Sequence, residues 1–274
     1  MARTDKPQIL LTNDDGIRSA GLWAAAEALS ELGFVTVAAP REQYSGAGRS
    51  MPHGSDGVLR EEEVTVHGVT WTVYAVGGSP AQTVQHAILE LMPRPPDLVV
   101  AGINHGENLT VSITISGTIG AALEAAAFGV PAIAVSLEMP KEKQWGQTDA
   151  DFSAAAHFTT HFGRLLMQGD RLPDVDVLKI DVPSDALRGT PWRVTRLSRS
   201  QYYVPVNPGR ERLTEPVRVD FEIRYDEDLL EPDSDVYAVR VAREVSVTPL
   251  SLDMTSRVDL PEVERRLRKS DPAV

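Results

Sequence analysis

The chain contains no cysteine among its 274 residues. That absence removes disulfides, thiolate metal centres and cysteine nucleophiles together, and it fits a reducing compartment. Basic charge is scarce as well: 27 Lys and Arg stand against 39 Asp and Glu, a formal net charge of −12. Such a chain is a poor partner for a nucleic-acid polymer, whose phosphates it would repel. An anionic small substrate would have to be drawn in by local positive potential, from a metal or a helix N-terminus, against the global field. No stretch reaches the about 18 uninterrupted apolar residues of a membrane span, and residues 1–8 are polar and charged rather than the apolar centre of a signal peptide. A cytoplasmic protein with no membrane association is expected. Internal repeats and low-complexity tracts are missing too. The length does permit a sizeable core, as one large α/β domain with an appendage or two small domains.

What is present alternates. Ile9-Leu10-Leu11 is a short apolar run that stops at Asn13-Asp14-Asp15-Gly16, and Leu22, Ala25, Ala26 and Leu29 then follow at helical spacing. This is the pattern of a buried strand feeding a helix. Residues 34–39 read as a second strand ended by Pro40, and residues 41–52 as a long loop rich in Gly and Ser. Residues 58–76 alternate around Gly68 and predict a β-hairpin inserted beside the main sheet. Ser79-Pro80 opens a helix that runs to Met92. Residues 97–101 are a buried strand leading into the loop Gly102-Ile103-Asn104-His105-Gly106, Ser116-Gly117-Thr118 starts an Ala-rich helix ending near Gly129, and residues 131–136 form the next strand. The order predicts an α/β fold, a Rossmann-like, doubly wound, mostly parallel sheet. Further on, residues 149–167 read as helix and 175–182 as strand, with strands at 204–220 and 237–247 and a short charged helix at 261–269. The division expected is a core over 1–190 and a β-rich arm over 191–274, packed on the core or on another subunit because it is poorly suited to make a core of its own.

The chemistry gathers at one edge of that sheet. Asp14 and Asp15 sit at the carboxyl end of the first strand, where ligands bind in open α/β sheets. Two adjacent acids there either repel or share a cation. With the Ser45 hydroxyl and the Asn104 amide oxygen from two other crossover loops, they form an oxygen-rich set that suits Mg²⁺ or Mn²⁺ better than zinc. An Asp-Asp-Gly tripeptide in a loop is ordinary turn chemistry; its place after the first buried strand favours the metal. Ser116-Gly117-Thr118 offers outward N–H groups, two hydroxyls and a glycine that admits a close phosphate, although a plain N-cap is the other reading. Asn108 either adds an amide donor or shapes a turn. The six histidines make no convincing metal cluster: His157 and His161 share a helix face without a third ligand, and His105 is expected to point away from Asn104. Three rivals fit less well. A phosphoacceptor receiver module needs Asp where Asn104 stands and a Lys further on, a haloacid-dehalogenase-like phosphatase needs D-x-D-G, and a dinucleotide-binding enzyme needs G-x-G-x-x-G, absent from residues 13–21.

Taken in order, LLTNDDG (10–16), APREQYSGAG (39–48), GSPAQTV (78–84), AGINHGENL (101–109), SGTIGAALEA (116–125) and SVTPLSLDMT (246–255) strongly resemble the SurE family of metal-dependent nucleotidases. The resemblance runs from the first strand to near the C-terminus. It implies a Rossmann-like core whose β-rich extension is exchanged between subunits in a homodimer or homotetramer, and removal of phosphate from nucleoside 5′- and 3′-monophosphates. It also implies one divalent cation per subunit, on Asp14, Asp15, Ser45 and Asn104, with Asn108, Ser116 and Thr118 contacting phosphate around Gly117. Asp14 or Asp15 would orient or deprotonate the attacking water. Non-nucleotide esters or short polyphosphate are the alternative substrates. Three departures from the family pattern bear on substrate preference: Thr110-Val111-Ser112 in place of Gly and acidic residues, Ile115 in place of an aromatic or His, and Gln82-Thr83 at the start of the 79–92 helix.

Overall fold

A computed structural model describes residues 6–140, 150–170 and 172–269. The first strand, β1 (Gln8–Thr12), has four of its five residues buried, and α1 (Ala20–Leu29) follows with Leu22, Ala25, Ala26 and Leu29 wholly inside. Successive residues of β1 point to opposite faces, so Ile9 and Leu11 enter one core while Leu10 enters the other. The first core lies under α1 and α4 (Ser153–Gln168); the second lies under α2 (Pro80–His86) and α3 (Gly117–Ala127). Helices on both faces make the sheet doubly wound. Truncating a fully buried leucine such as Leu10 or Leu22 to alanine would cost about 2–5 kcal/mol.

The parallel centre consists of β1, β2 (Phe34–Pro40), β5 (Leu98–His105), β6 (Ala132–Leu137) and β7 (Val177–Val182). On one side β3 (Leu59–Val66) and β4 (Val69–Val76) turn over at His67-Gly68, and β4 pairs in parallel with β2. The hairpin expected beside the main sheet is therefore part of it. On the other side β11 (Val245–Leu250) runs antiparallel to β7 and carries β8 (Trp192–Val194) as the edge, completing the order β3-β4-β2-β1-β5-β6-β7-β11-β8. The pair β9 (Tyr203–Val206) and β10 (Asp220–Ile223) forms a separate antiparallel ribbon.

Several elements differ from the sequence expectation. The strand expected to stop at Ala101 continues to His105 across a register shift, and Asn104 and His105 pair with Ser136 and Leu137. Gly102 permits this: its φ is +135°, and a Cβ there would stand 2.4 Å from the Val135 carbonyl oxygen. The 204–220 strand is two short strands with residues 207–219 between them. Within 237–247, Tyr237–Val241 is a helical turn that buries Ala238 and Val239, and only the last residues enter β11. A short alternating apolar run suits either form, and here packing of Val236 and Val239 against Leu109 and Tyr202 selects the helix. The three-residue β8 was not foreseen. Residue 149, where the 149–167 helix was expected to start, lies outside the described residues, as do 270–274 of the arm. The last helix, α5 (Leu260–Lys269), buries none of its side chains. Among the described residues no helix is long and apolar enough to cross a membrane.

Candidate active site

The turn after β1 is closed by Asn13, whose Oδ1 accepts the Gly16 N–H at 3.1 Å while its Nδ2 donates to the Gly16 carbonyl at 3.1 Å. That asparagine fixes the two acids that follow it. Asp14 turns inward onto the start of α3. The Thr118 hydroxyl donates to its Oδ1 at 2.5 Å, and a Cβ on Gly117 would lie 2.7 Å from the Asp14 Cβ and 2.8 Å from Oδ2. Only glycine lets the helix come this close. Burial, reinforced by the neighbouring charge of Asp15, pushes the Asp14 carboxyl up to about 7, and the hydrogen bonds from Thr118 offset only part of that. No Lys or Arg among the described residues pairs with either acid.

Asp15 faces the opposite way. Its Oδ2 accepts the His105 backbone N–H at 3.1 Å and meets His105 Nδ1 at 3.0 Å, and its Oδ1 accepts from Gln43 Nε2 at 3.3 Å. Gln43 Nε2 also reaches Ser45 Oγ at 3.1 Å, which ties the 41–52 loop to the acid pair. The expectation that His105 points away is corrected: as the end residue of β5 rather than a loop residue, its ring turns toward β1. Its Nε2 is buried without a partner among the described residues, and its ring packs edge-on to Phe152 at 4.9 Å. An N–H at Nε2 would be an orphaned donor, so the proton belongs on Nδ1, facing Asp15.

Asn104 donates through Nδ2 to the Gly106 carbonyl at 2.7 Å, which commits the nitrogen of its amide to the fold. Asn108 is held at three atoms: its N–H donates to Asp181 Oδ1 at 2.7 Å, its Nδ2 to Ser136 Oγ at 2.8 Å, and its carbonyl accepts from Lys179 Nζ at 2.9 Å. Ser116 caps α3, its Oγ accepting the Ile119 N–H at 3.2 Å. Capping and anion binding do not exclude each other, because a hydroxyl that accepts one bond still has its own proton to donate. Asp14, Ser45, Asn104, Asn108 and Ser116 all line one cleft of about 650 Å³, to which β9 and β10 contribute Tyr203 and Phe221. No group of three or more His, Asp or Glu suited to a metal exists among the described residues, so a cation here would rest on two carboxylates with neutral oxygens.

Beneath the cleft lie charges that sequence reasoning missed. Lys179, Asp181 and Asp235 are fully buried; Lys179 Nζ bonds to Asp181 and lies 3.2 Å from Asp235 Oδ2, while Asp235 accepts the Thr110 N–H at 2.9 Å. Glu107 accepts from Tyr202 Oη at 2.7 Å and pairs with Arg240 at 2.5 Å, and Arg240 also pairs with Glu138. The available signal was Lys and Asp two apart in the apolar run VLKIDV, a charged pair on one face of a buried strand.

Comparison with known proteins shows what the whole chain is similar to. Residues 9–204 match the family described as Survival protein SurE. A 5′-nucleotidase SurE of Thermococcus gammatolerans is 43% identical over 263 residues, covering 95% of this chain and 96% of that protein. Another, of Methanosarcina mazei, is 40% identical over 276 residues, covering 97% and 100%. The crystal structure of the SurE protein from Aquifex aeolicus superposes with a TM-score of 0.72 at 29% identity, covering 96% of this chain and 99% of that one.

Proposed function

The chain belongs to the SurE family, and from that premise we propose that it is a metal-dependent phosphomonoesterase acting on nucleoside 5′-monophosphates, and on 3′-monophosphates as a second class. The observation that carries the reading is the acid pair itself: Asp14 is buried against Asp15 with its carboxyl raised to about 7, and no Lys or Arg among the described residues compensates either acid. A hard divalent cation, Mg²⁺ or Mn²⁺, supplies that compensation, and an all-oxygen donor set fits it. Asp14, Asp15, Ser45 and Asn104 would hold one such ion per subunit. When bound, it would provide Lewis-acid polarisation of the phosphoryl group and acidify the attacking water.

The chain's own residues do the rest. The Ser116 hydroxyl keeps its proton for a phosphate oxygen while capping α3, and the second N–H of the Asn108 amide remains beyond its bond to Ser136. Gly117 opens the space at the helix start, and Thr118 holds the Asp14 carboxyl in place. The positive end of α3 favours the charge that gathers on the transferring group. Asp14 and Asp15 are the two groups able to hold the proton released by water. Replacing Asp15 with Asn should abolish phosphate release from AMP and calorimetric Mn²⁺ binding while leaving the circular dichroism spectrum intact. Near-normal turnover at saturating Mn²⁺ would contradict the proposal.

The protein is also proposed to work as a homodimer or homotetramer in which the exchanged part of the arm is its last helix, α5, since β8, β11, Asp235 and Arg240 pack on the chain's own core. Leu260, Val263 and Leu267 lie three and four residues apart on α5, at 58%, 37% and 69% exposure, and a ten-residue helix is marginal without a surface to bury its apolar stripe. Light scattering that returned a monomer mass would refute this.

A further inference from the structure

Asp15 presents two oxygens, and the fold treats them differently. Oδ2 accepts two hydrogen bonds from a single residue, the backbone N–H of His105 at 3.1 Å and the ring Nδ1–H at 3.0 Å. A carboxylate oxygen has two lone pairs, so Oδ2 is filled. Oδ1 carries only the longer bond from Gln43 Nε2 at 3.3 Å and keeps a lone pair free. The side chains of His105 and Asp15 are 5% and 7% exposed, so both bonds lie in an interior where they are stronger than in water. The ring has no other use for its proton: Nε2 is buried without a polar partner among the described residues, and the edge contact with buried Phe152 fixes the ring plane. We propose that His105 is a positioning residue for the acid pair, closing Oδ2 so that Asp15 offers one oxygen to a cation, and thereby biasing the site toward Mg²⁺ or Mn²⁺ and against Ca²⁺.

This role rests on the metal-dependent reading of the site and deepens it. His105 would act on the ion through Asp15 and not as a ligand, because the one ring nitrogen with a free lone pair, Nε2, is shut inside the protein. The bias follows from the size of the ions. Ca²⁺ gathers about six to eight oxygens and accepts both oxygens of one carboxylate, whereas Mg²⁺ is smaller, octahedral and keeps several of its waters. A site with two carboxylates, one of them held to a single oxygen, meets the need of the smaller ion and leaves the larger one short of donors. The device depends on the continuation of β5 past Gly102, which brings Asn104 and His105 in succession to the carboxyl edge of the sheet beside β1.

The test crosses two variants. His105→Asn keeps an N–H near the place of Nδ1 and loses the ring, while His105→Leu fills the space against Phe152 and has no side-chain N–H. Mn²⁺ and Ca²⁺ binding are measured by calorimetry on the substrate-free protein. The unaltered protein should bind Mn²⁺ more tightly than Ca²⁺; the ratio of the two affinities should fall about tenfold in His105→Leu and be largely kept in His105→Asn. A role in packing alone gives the reverse order, with the loss in His105→Asn. That order, a ratio unmoved in both variants, or equal affinity of the unaltered protein for both ions would overturn the proposal. Should neither variant fold, the unaltered metal-free protein decides: a ¹H–¹⁵N spectrum of the imidazoles should show the His105 proton on Nδ1 with Nε2 bare, and a proton on Nε2 would refute the role. Phosphate release from AMP separates this from the activity. Its absence with the ion ratios as expected would end the phosphomonoesterase reading and support the role of His105, turnover with unmoved ratios would do the opposite, and an unaltered protein that binds no Mn²⁺ would end both.

Discussion

Lys179→Met removes one positive charge from a place that water does not reach. Lys179, Asp181 and Asp235 are all fully buried, and the ammonium serves Asp181, Asp235 and the Asn108 carbonyl together. Methionine is of similar length and apolar, so the cavity term is small and the loss is electrostatic. Two carboxylates then share a dry site with only backbone donors: Asn108 N–H on Asp181, and Thr110, Ser198 and Val236 N–H on Asp235. Breaking a buried pair in this way costs about 3–5 kcal/mol, a large part of an ordinary stability of about 5–15 kcal/mol. The assay is urea unfolding at about pH 7.5 and about pH 5.5. In the unaltered protein burial pushes the Lys179 ammonium down, but the charges and hydrogen bonds of Asp181 and Asp235 outweigh it and hold it above 10.5. Its contribution is therefore complete below that value and is lost only as pH rises through the folded one, outside the assay range. Burial already pushes Asp181 up to about 6 in the unaltered protein, with the Lys179 charge holding it down; without that charge it rises further, the folded variant binds the extra proton more readily, and the deficit should shrink at the lower pH. A loss under about 1 kcal/mol, or a deficit equal at both pH values, would refute the reasoning.

Two further outcomes follow from the acid pair. Burial and then Asp15 raise the Asp14 carboxyl to about 7, so its protonated form favours the metal-free fold at low pH, and that contribution is lost as pH rises through 7. Mn²⁺ must displace this proton, so its affinity should climb with pH and level off above about 7, with proton release visible by calorimetry in buffers of different ionisation heat; a flat profile would count against the site. Gly117→Ala would place a Cβ 2.7 Å from the Asp14 Cβ and force the helix start away from the carboxylate. Thermal stability should change little, since alanine is favoured over glycine in a helix by about 1 kcal/mol, whereas Mn²⁺ affinity and turnover should fall together. Unchanged Mn²⁺ binding would show that the close approach is not needed.

The parts of the fold governed by local pattern were legible. The strand–helix alternation, the Ser79 cap and the hairpin over 58–76 need only periodicity and turn chemistry, and the Asp14-Asp15 cluster needs only the rule that ligands collect at the carboxyl edge of an open sheet. What depended on distant partners was not. Residues 237–247 alternate like a strand, and nothing local shows that Val236 and Val239 will be covered by Leu109 and Tyr202, more than a hundred positions away in one case. His105 was misjudged because the strand before it was ended too early, at the glycine that lets it continue. Ser116 illustrates a different limit: capping and anion binding use the same tripeptide, and the hydroxyl does the first while retaining the proton needed for the second.

The two buried charge networks explain why the last eighty-odd residues cannot be considered apart from the site. The segment between β5 and α3, which carries Asn108 and follows Asn104 on β5, buries two large apolar side chains, Leu109 and Ile113. Its Glu107 is held by Tyr202 and Arg240, its Thr110 N–H by Asp235, and its Asn108 by Asp181 and Lys179. Tyr202, Asp235 and Arg240 all come from beyond residue 190. Charged pairs are a costly way to gain stability, since desolvation cancels much of the attraction. They are, however, far more directional than apolar contacts, and a loop that must hold an amide oxygen and an amide donor in register gains more from direction than from net energy. On this argument the C-terminal segment acts on the site twice: through Asp235 and Arg240 it fixes the loop, and through the β9–β10 ribbon it walls the cleft.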